Sequence, residues 1–167
     1  MKKSIYRQFP EGPAKPSLDA LEAFWAEAKK EHPDIAATYE VRCIGVDEPS
    51  TAIVLELIKQ GDKTGTFSLP WILEDQGQAC SQKGDYIIYS AYDGSPALLV
   101  RVTEIERTAF GEINERHTAI DGSPVRDLSV WIPLHTKYWN KKLAPFGRVV
   151  SSDMPVIVEK FEMLYAR

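Results

Sequence analysis

Cysteine is nearly absent from this chain, with Cys43 and Cys80 the only two. Two are too few for a disulfide framework and lie at no metal-ligand spacing, so they point to a soluble protein of a reducing compartment, the cytoplasm. No run approaches the roughly 18 apolar residues that a membrane span requires. The basic start, "MKKSIYRQF", lacks the apolar stretch that follows in a signal peptide. The three histidines, His32, His117 and His135, form no ligand pattern with nearby carboxylates, and neither a metal nor a cofactor is expected. A basic excess is missing too, since the formal net charge is −4. Proteins that grip long nucleic acid neutralise several phosphates and usually carry surplus Lys and Arg. A small ligand or a short single strand is therefore an easier partner than a long duplex, with a local basic patch at Lys137, Lys141, Lys142 and Arg148 still available.

A phosphate-binding loop is also lacking, although one stretch imitates it. "IKQGDKTGTFSL", from Ile58 to Leu69, places Lys63 among glycines and threonines. A phosphate loop sets its lysine directly after a glycine, between a strand and a helix. Here Asp62 separates Gly61 from Lys63, and the pattern reads helix, loop, strand.

What is present describes one globular domain. At 167 residues, 44% apolar and 26% charged, the chain can bury a sizeable core. "FPEGPAKP" is irregular. Ser17 caps a helix to about Lys30, with Leu18, Leu21, Phe24, Trp25 and Ala28 on one face. A second helix starts near Asp47 with Pro49 in its first turn, carries Ala52, Leu55 and Ile58 inward, and ends at Gly61. "TGTFSL" reads as a strand, "DYIIYSAY" and "ALLVRVTEIER" as a hairpin about the turn "DGSP", and "AFGEINERHTA" as a short helix anchored by Phe110 and Ile113. Asp127 opens a longer helix to about Leu143, which Pro133 kinks or delays. "VIVEKFEMLY" closes the chain as a strand. Residues 1–46 are a loop and helix packed on the domain proper at 47–167. The expected class is α+β, a small curled antiparallel sheet or barrel with flanking helices.

Taken in order, "LIKQGDKTGTFSL", "KGDYIIYSAYDGSPALLVRVTEI", "AFGEI", "HTAIDG", "DLSVWIPLHTKYW" and "MPVIVEKFEMLY" resemble the ASCH (activating signal cointegrator homology) family. The N-terminal "FWAEA" helix is similar to that of its longer bacterial members. The resemblance implies a PUA-like β-barrel with helices over its openings and action on RNA or nucleosides. Some small members of the family are amidohydrolases that remove an acyl group from the exocyclic amine of a modified cytidine, using a K-T-x-T loop and a carboxylate. Carried onto this chain, those groups are Lys63, Thr66 and Asp121, the last standing where the family usually has glutamate, one methylene longer.

The residue types suit that chemistry conditionally. Amide hydrolysis needs a nucleophile, a base and donors for the oxyanion. Thr66 supplies a hydroxyl, backbone N–H groups about Thr64 and Gly65 supply donors, and Lys63 acts as base only where burial removes its charge. The same residues also read structurally: Lys63 beyond a helix C-terminus, Thr64 and Thr66 as strand formers, Asp121-Gly122 as a turn pair. Trp131 and His135 share a helix face, where His135 serves a ligand or pairs with a backbone carbonyl in the core. Trp71, Tyr138 and Trp139 offer rings for stacking a base or for the core. Three functions stay open: an amidohydrolase acting on an acylated nucleoside, a non-catalytic RNA- or nucleotide-binding module, and a ribonuclease.

Overall fold

The computed structural model describes residues 5–7, 9–36 and 38–167. Part of the basic N-terminal stretch, including its first four residues, lies outside them. The elements run α1 (Leu18–Glu31), β1 (Glu40–Cys43), α2 (Glu48–Lys59), β2 (Gly65–Ser68), α3 (Pro70–Asp75), β3 (Tyr86–Ser90), β4 (Pro96–Ala109), α4 (Glu115–Thr118), α5 (Leu128–Leu143) and β5 (Pro155–Ala166). The strands form one sheet in the order β1-β3-β4-β5-β2. The α+β class holds, with one refinement: the sheet is mixed, because β1 pairs with β3 in parallel while β3–β4 and β2–β5 are antiparallel. No helix among the described residues is long and apolar enough to cross a membrane.

Packing divides the chain into two compact units, and β4 and β5 each contribute to both. The first comprises Met1–Gly61, Gly84–Val102 and Phe161–Arg167. Its core joins Leu21, Phe24 and Ala28 of α1 to Val41, Ile88 and Leu99 of the sheet. Ser17 caps α1 by accepting from the Ala20 N–H at 3.1 Å. Leu18, expected on the buried face, is 59% exposed; it occupies the first helical position, and the face that packs begins one turn later at Leu21. In α2, Asp47 and Ser50 close a reciprocal capping box. The inward residues there are Thr51, Leu55 and Ile58, and Ala52 is exposed. Thr51 takes the inner position because its hydroxyl donates to the Ile44 carbonyl at 2.8 Å. Gly61 follows the cap residue Gln60 with φ +77°, a conformation that ends a helix without strain only in glycine. Strand β1 escaped the sequence reading because four residues show too little alternation.

The second unit comprises Asp62–Lys83 and Thr103–Lys160. Its core is Trp131, Trp139 and Leu143 of α5 with Leu69, Ile72, Ile113, Ile120, Met154, Val156 and Val158. The expected short helix is two pieces, a 3-10 turn at Phe110–Glu112 and α4, split because Asn114 takes the N-cap role and accepts from the Arg116 N–H at 2.9 Å. Helix α5 runs unbroken through Pro133. That proline is exposed, so the Ser129 carbonyl, whose usual i+4 donor it lacks, is on the side where water replaces it. Helix α3 was not anticipated; Pro70 opens it at the first position.

The β2–β5 pairing sets Gly65 opposite Lys160 and Thr66 opposite Glu159. A Cβ on Gly65 would lie 2.4 Å from the Glu159 carbonyl oxygen and 2.4 Å from Ile120 Cδ1. Glycine at this position is a requirement of backbone approach. We predict that Gly65→Ala destabilises the protein by about 1–3 kcal/mol, the usual cost of overpacking. Thermal denaturation would measure it, and an unchanged melting temperature would contradict the close approach.

Candidate functional site

The K-T-G-T loop is fastened to the segment after α4 at successive residues. The Asp62 carboxylate accepts from the Ser123 N–H at 2.9 Å and pairs with Arg126, whose guanidinium also donates to the Asp62 carbonyl at 3.0 Å. The Thr64 N–H donates to the Ile120 carbonyl at 2.8 Å. Between them, Lys63 Nζ donates to Asp121 Oδ1 at 2.9 Å. The Ser123 amide, ahead of the Arg126 charge, holds the Asp62 carboxyl below its usual range. Asp62, which spoils the resemblance to a phosphate loop, is thus the outer clamp of this junction.

Asp121 is delivered by a small, well-tied helix. His117 is buried, and its Nδ1 accepts from the Asn114 N–H at 3.1 Å. That leaves Nε2–H to face Glu106 at 3.2 Å, where Arg116 makes a two-pronged pair at 2.8 and 3.0 Å. The Arg116 hydrogen bonds lead, with His117 assisting, in holding the Glu106 carboxyl down at about 2. The Asp121 N–H then donates to the Thr118 carbonyl at 2.9 Å, and the Thr118 hydroxyl donates to the Arg126 carbonyl at 2.7 Å.

Lys63 and Asp121 are 6% and 8% exposed, so their charges have left most of their water. The carboxylate is well compensated: Oδ1 also accepts from the Gly122 N–H at 3.0 Å, and Oδ2 accepts from Trp131 Nε1 at 3.2 Å. Trp131 stacks on His135 with ring centres 3.9 Å apart and planes 20° from parallel, and Phe67 meets both rings edge-on. His135 Nδ1 lies 2.9 Å from the Trp131 carbonyl. A carbonyl only accepts, so Nδ1 carries the proton and Nε2 is the bare acceptor. Burial lowers the His135 pKa, and Lys63 adds to that, while the Trp131 carbonyl and Asp121 oppose it.

The structure therefore groups Lys63, Asp121, Trp131 and His135. Thr66 stands apart from them. In β2 the pleat turns it to the face opposite Gly65 and Phe67, and among the described residues its hydroxyl makes no hydrogen bond with Lys63 or Asp121. Thr64 is exposed and its N–H is already used. Trp71, in the first turn of α3, is half-buried beneath the Arg148 guanidinium, 4.8 Å from the ring centre, and belongs to a different corner. Trp139 is core, while Tyr138 is half-buried with the Lys142 ammonium 5.0 Å from its ring centre. The sequence reading passed over Glu159, a fully buried carboxylate opposite Thr66. Its position in "VIVEKF", a charge on an inward register, was the available signal.

The curled, mixed sheet is PUA-like. The model of the ASCH domain matches residues 41–165, and the chain belongs to that family. An ASCH domain from Lactobacillus crispatus JV V101 superposes with a TM-score of 0.80 at 19% identity, over 88% of this chain and 95% of that one. A protein of Enterococcus faecalis V583 gives 0.76 at 23% identity, over 87% and 88%. These similarities establish the fold. Among curated proteins, no sequence matches the chain significantly.

Lys63→Ala should destabilise the protein by about 3–5 kcal/mol, because it strands a buried carboxylate; urea denaturation would read the loss, and a change below 1 kcal/mol would contradict the burial. His135 supplies a pH signature. Its folded pKa is depressed, so on acidification below about 6.5 the unfolded chain takes up that proton first. Stability conferred by the neutral imidazole is present above that pH and is lost as pH falls through the lower, folded value. Melts at stepped pH should show a shallower acid decline in His135→Gln; parallel curves would refute the assignment.

Proposed function

We propose that this ASCH-domain protein is an amidohydrolase acting on a small acylated nucleoside, releasing the exocyclic amine of a cytosine-like base. The observation that carries the reading is the buried Lys63–Asp121 pair at 2.9 Å, built on the K-T-G-T loop and the "HTAIDG" segment. Stability alone is a poor reason for such a pair, since apolar residues of similar volume often serve as well or better. In this reading water is the attacking group, because the pleat turns the Thr66 hydroxyl, the nucleophile expected from the resemblance, to the face of β2 away from the pair. Lys63, donating to Asp121, suits the role of a cationic donor to the developing oxyanion better than that of a base. Asp121, itself held by the Trp131 indole N–H, fixes the ammonium in place. The acidic balance of the chain favours a single nucleoside over a long RNA.

The test is release of free cytidine from a panel of N4-acylcytidines by purified protein. Lys63→Met should cost more than tenfold in kcat, Thr66→Ala less than threefold, and Asp121→Glu, which restores the more usual family residue, should retain or raise the rate. If the folded protein releases nothing from any substrate yet binds cytidine, the loop is a binding element and the hydrolase reading falls.

A further inference from the structure

An attacking water needs a proton acceptor, and Lys63 donates to Asp121. We propose that His135 is the general base, with Nε2 taking the proton of the water, an inference that rests on the hydrolase reading above. Its Nδ1 is bound to the Trp131 carbonyl at 2.9 Å. That bond fixes the tautomer, with the proton on Nδ1 and a lone pair on Nε2. Among the described residues no hydrogen bond reaches Nε2. The side chain is half-buried, so part of it remains open to water.

Trp131 holds this base in register with the rest of the site. The indole donates from Nε1 to Asp121 Oδ2 at 3.2 Å, and its ring stacks on the imidazole with centres 3.9 Å apart. Phe67 of β2 and Trp139 meet the imidazole edge-on, with centres 5.9 and 4.9 Å away, which leaves its plane little freedom. The imidazole and the Lys63 ammonium thus flank one indole–carboxylate unit. Burial is the largest influence on the ring and favours its neutral form, the form a base requires. The charged groups that act on it are Asp121, which favours protonation, and Lys63, which opposes it. A phenyl ring would fill the same stack and would leave no acceptor unpaired. Lys63 gives one N–H to Asp121, and an ammonium has further donors for an oxyanion.

The step balances with water as the sole co-reactant. One water proton passes to His135 Nε2 as the water oxygen bonds to the acyl carbon. The carbonyl electron pair moves onto its oxygen, where Lys63 donates to it. The tetrahedral intermediate collapses, the C–N bond breaks, and Nε2–H gives its proton to the departing amine nitrogen. The products are the carboxylic acid and the free amine, and His135 is neutral again.

The single-turnover rate of N4-acylcytidine hydrolysis, followed against pH over the range where the protein stays folded, tests the assignment. In the unaltered protein the rate should be level near neutrality and fall on acidification below about pH 6.5, as the imidazole takes up its proton. His135→Gln should lower the neutral-pH rate about a hundredfold, within the range for general-base catalysis. It should also abolish the acid limb and change cytidine affinity less than threefold. A merely structural His135 would leave the limb in place at a reduced rate, and that result overturns the proposal. So does a His135→Gln enzyme within threefold of the unaltered one. If the glutamine variant does not fold, His135→Phe, which keeps the stacked ring and removes the acceptor, is carried through the same measurements with the same criteria. Absence of hydrolysis by the unaltered protein sinks the hydrolase reading and this inference together, whereas activity whose acid limb survives the substitution sinks this inference alone.

Discussion

The junction around Lys63 and Asp121 is organised by the expense of holding two opposite charges out of water. An ammonium and a carboxylate at 2.9 Å attract strongly, but their lost hydration is of similar size, and the balance is favourable only when the remaining hydrogen-bonding capacity is also met. The surrounding residues perform that task. The Gly122 amide and the Trp131 indole N–H complete the carboxylate, and both are fixed by their own neighbours. The Thr64–Ile120 and Asp62–Ser123 bonds on either side prevent the loop from drawing back and leaving one charge exposed to the other's absence. Removing any member therefore acts on the others through the same pair.

Trp131 connects this polar centre to the hydrophobic core. Its Nε1 faces Asp121, while its ring lies against Phe67, Phe110, His135 and Trp139. One side chain thus meets both the requirement for a buried donor and the requirement for close packing. His135 continues the stack, and its protonated Nδ1 is satisfied by the carbonyl one helical turn earlier. Protonating Nε2 would place a cation between aromatic rings and near Lys63, which is the physical reason that burial and Lys63 both press its pKa down.

Much of this was legible in the sequence, for identifiable reasons. Helices α1, α2 and α5 carry strong period, caps and breakers, and the β3–β4 hairpin is marked by "DGSP" between apolar runs. The K-T-G-T loop and Asp121 were found through the ordered motifs. What escaped has a common cause. Strand β1 and helix α3 are short, so pairing and packing define them more than pattern does. Ala52 was placed inside because alanine fits an apolar stripe, whereas the hydroxyl of Thr51 had a specific carbonyl to reach. Asp62 and Trp131 owe their importance to partners in another part of the chain, the 121–126 segment. No local periodicity records such partners.

The clamps on the K-T-G-T loop have a consequence for ligand association. A surface loop ordinarily surrenders conformational freedom when a ligand arrives, and that loss is subtracted from the binding free energy. Here the freedom has been given up during folding, since Asp62, Lys63 and Thr64 are each tied to the 120–126 segment before any ligand is present. A ligand that met this loop would start from a preorganised surface. The enthalpy of such binding would report new contacts and displaced water with little contribution from loop ordering, and the hydrogen-bonded amides of Thr64 and Ser123 should exchange more slowly than those of an untied loop.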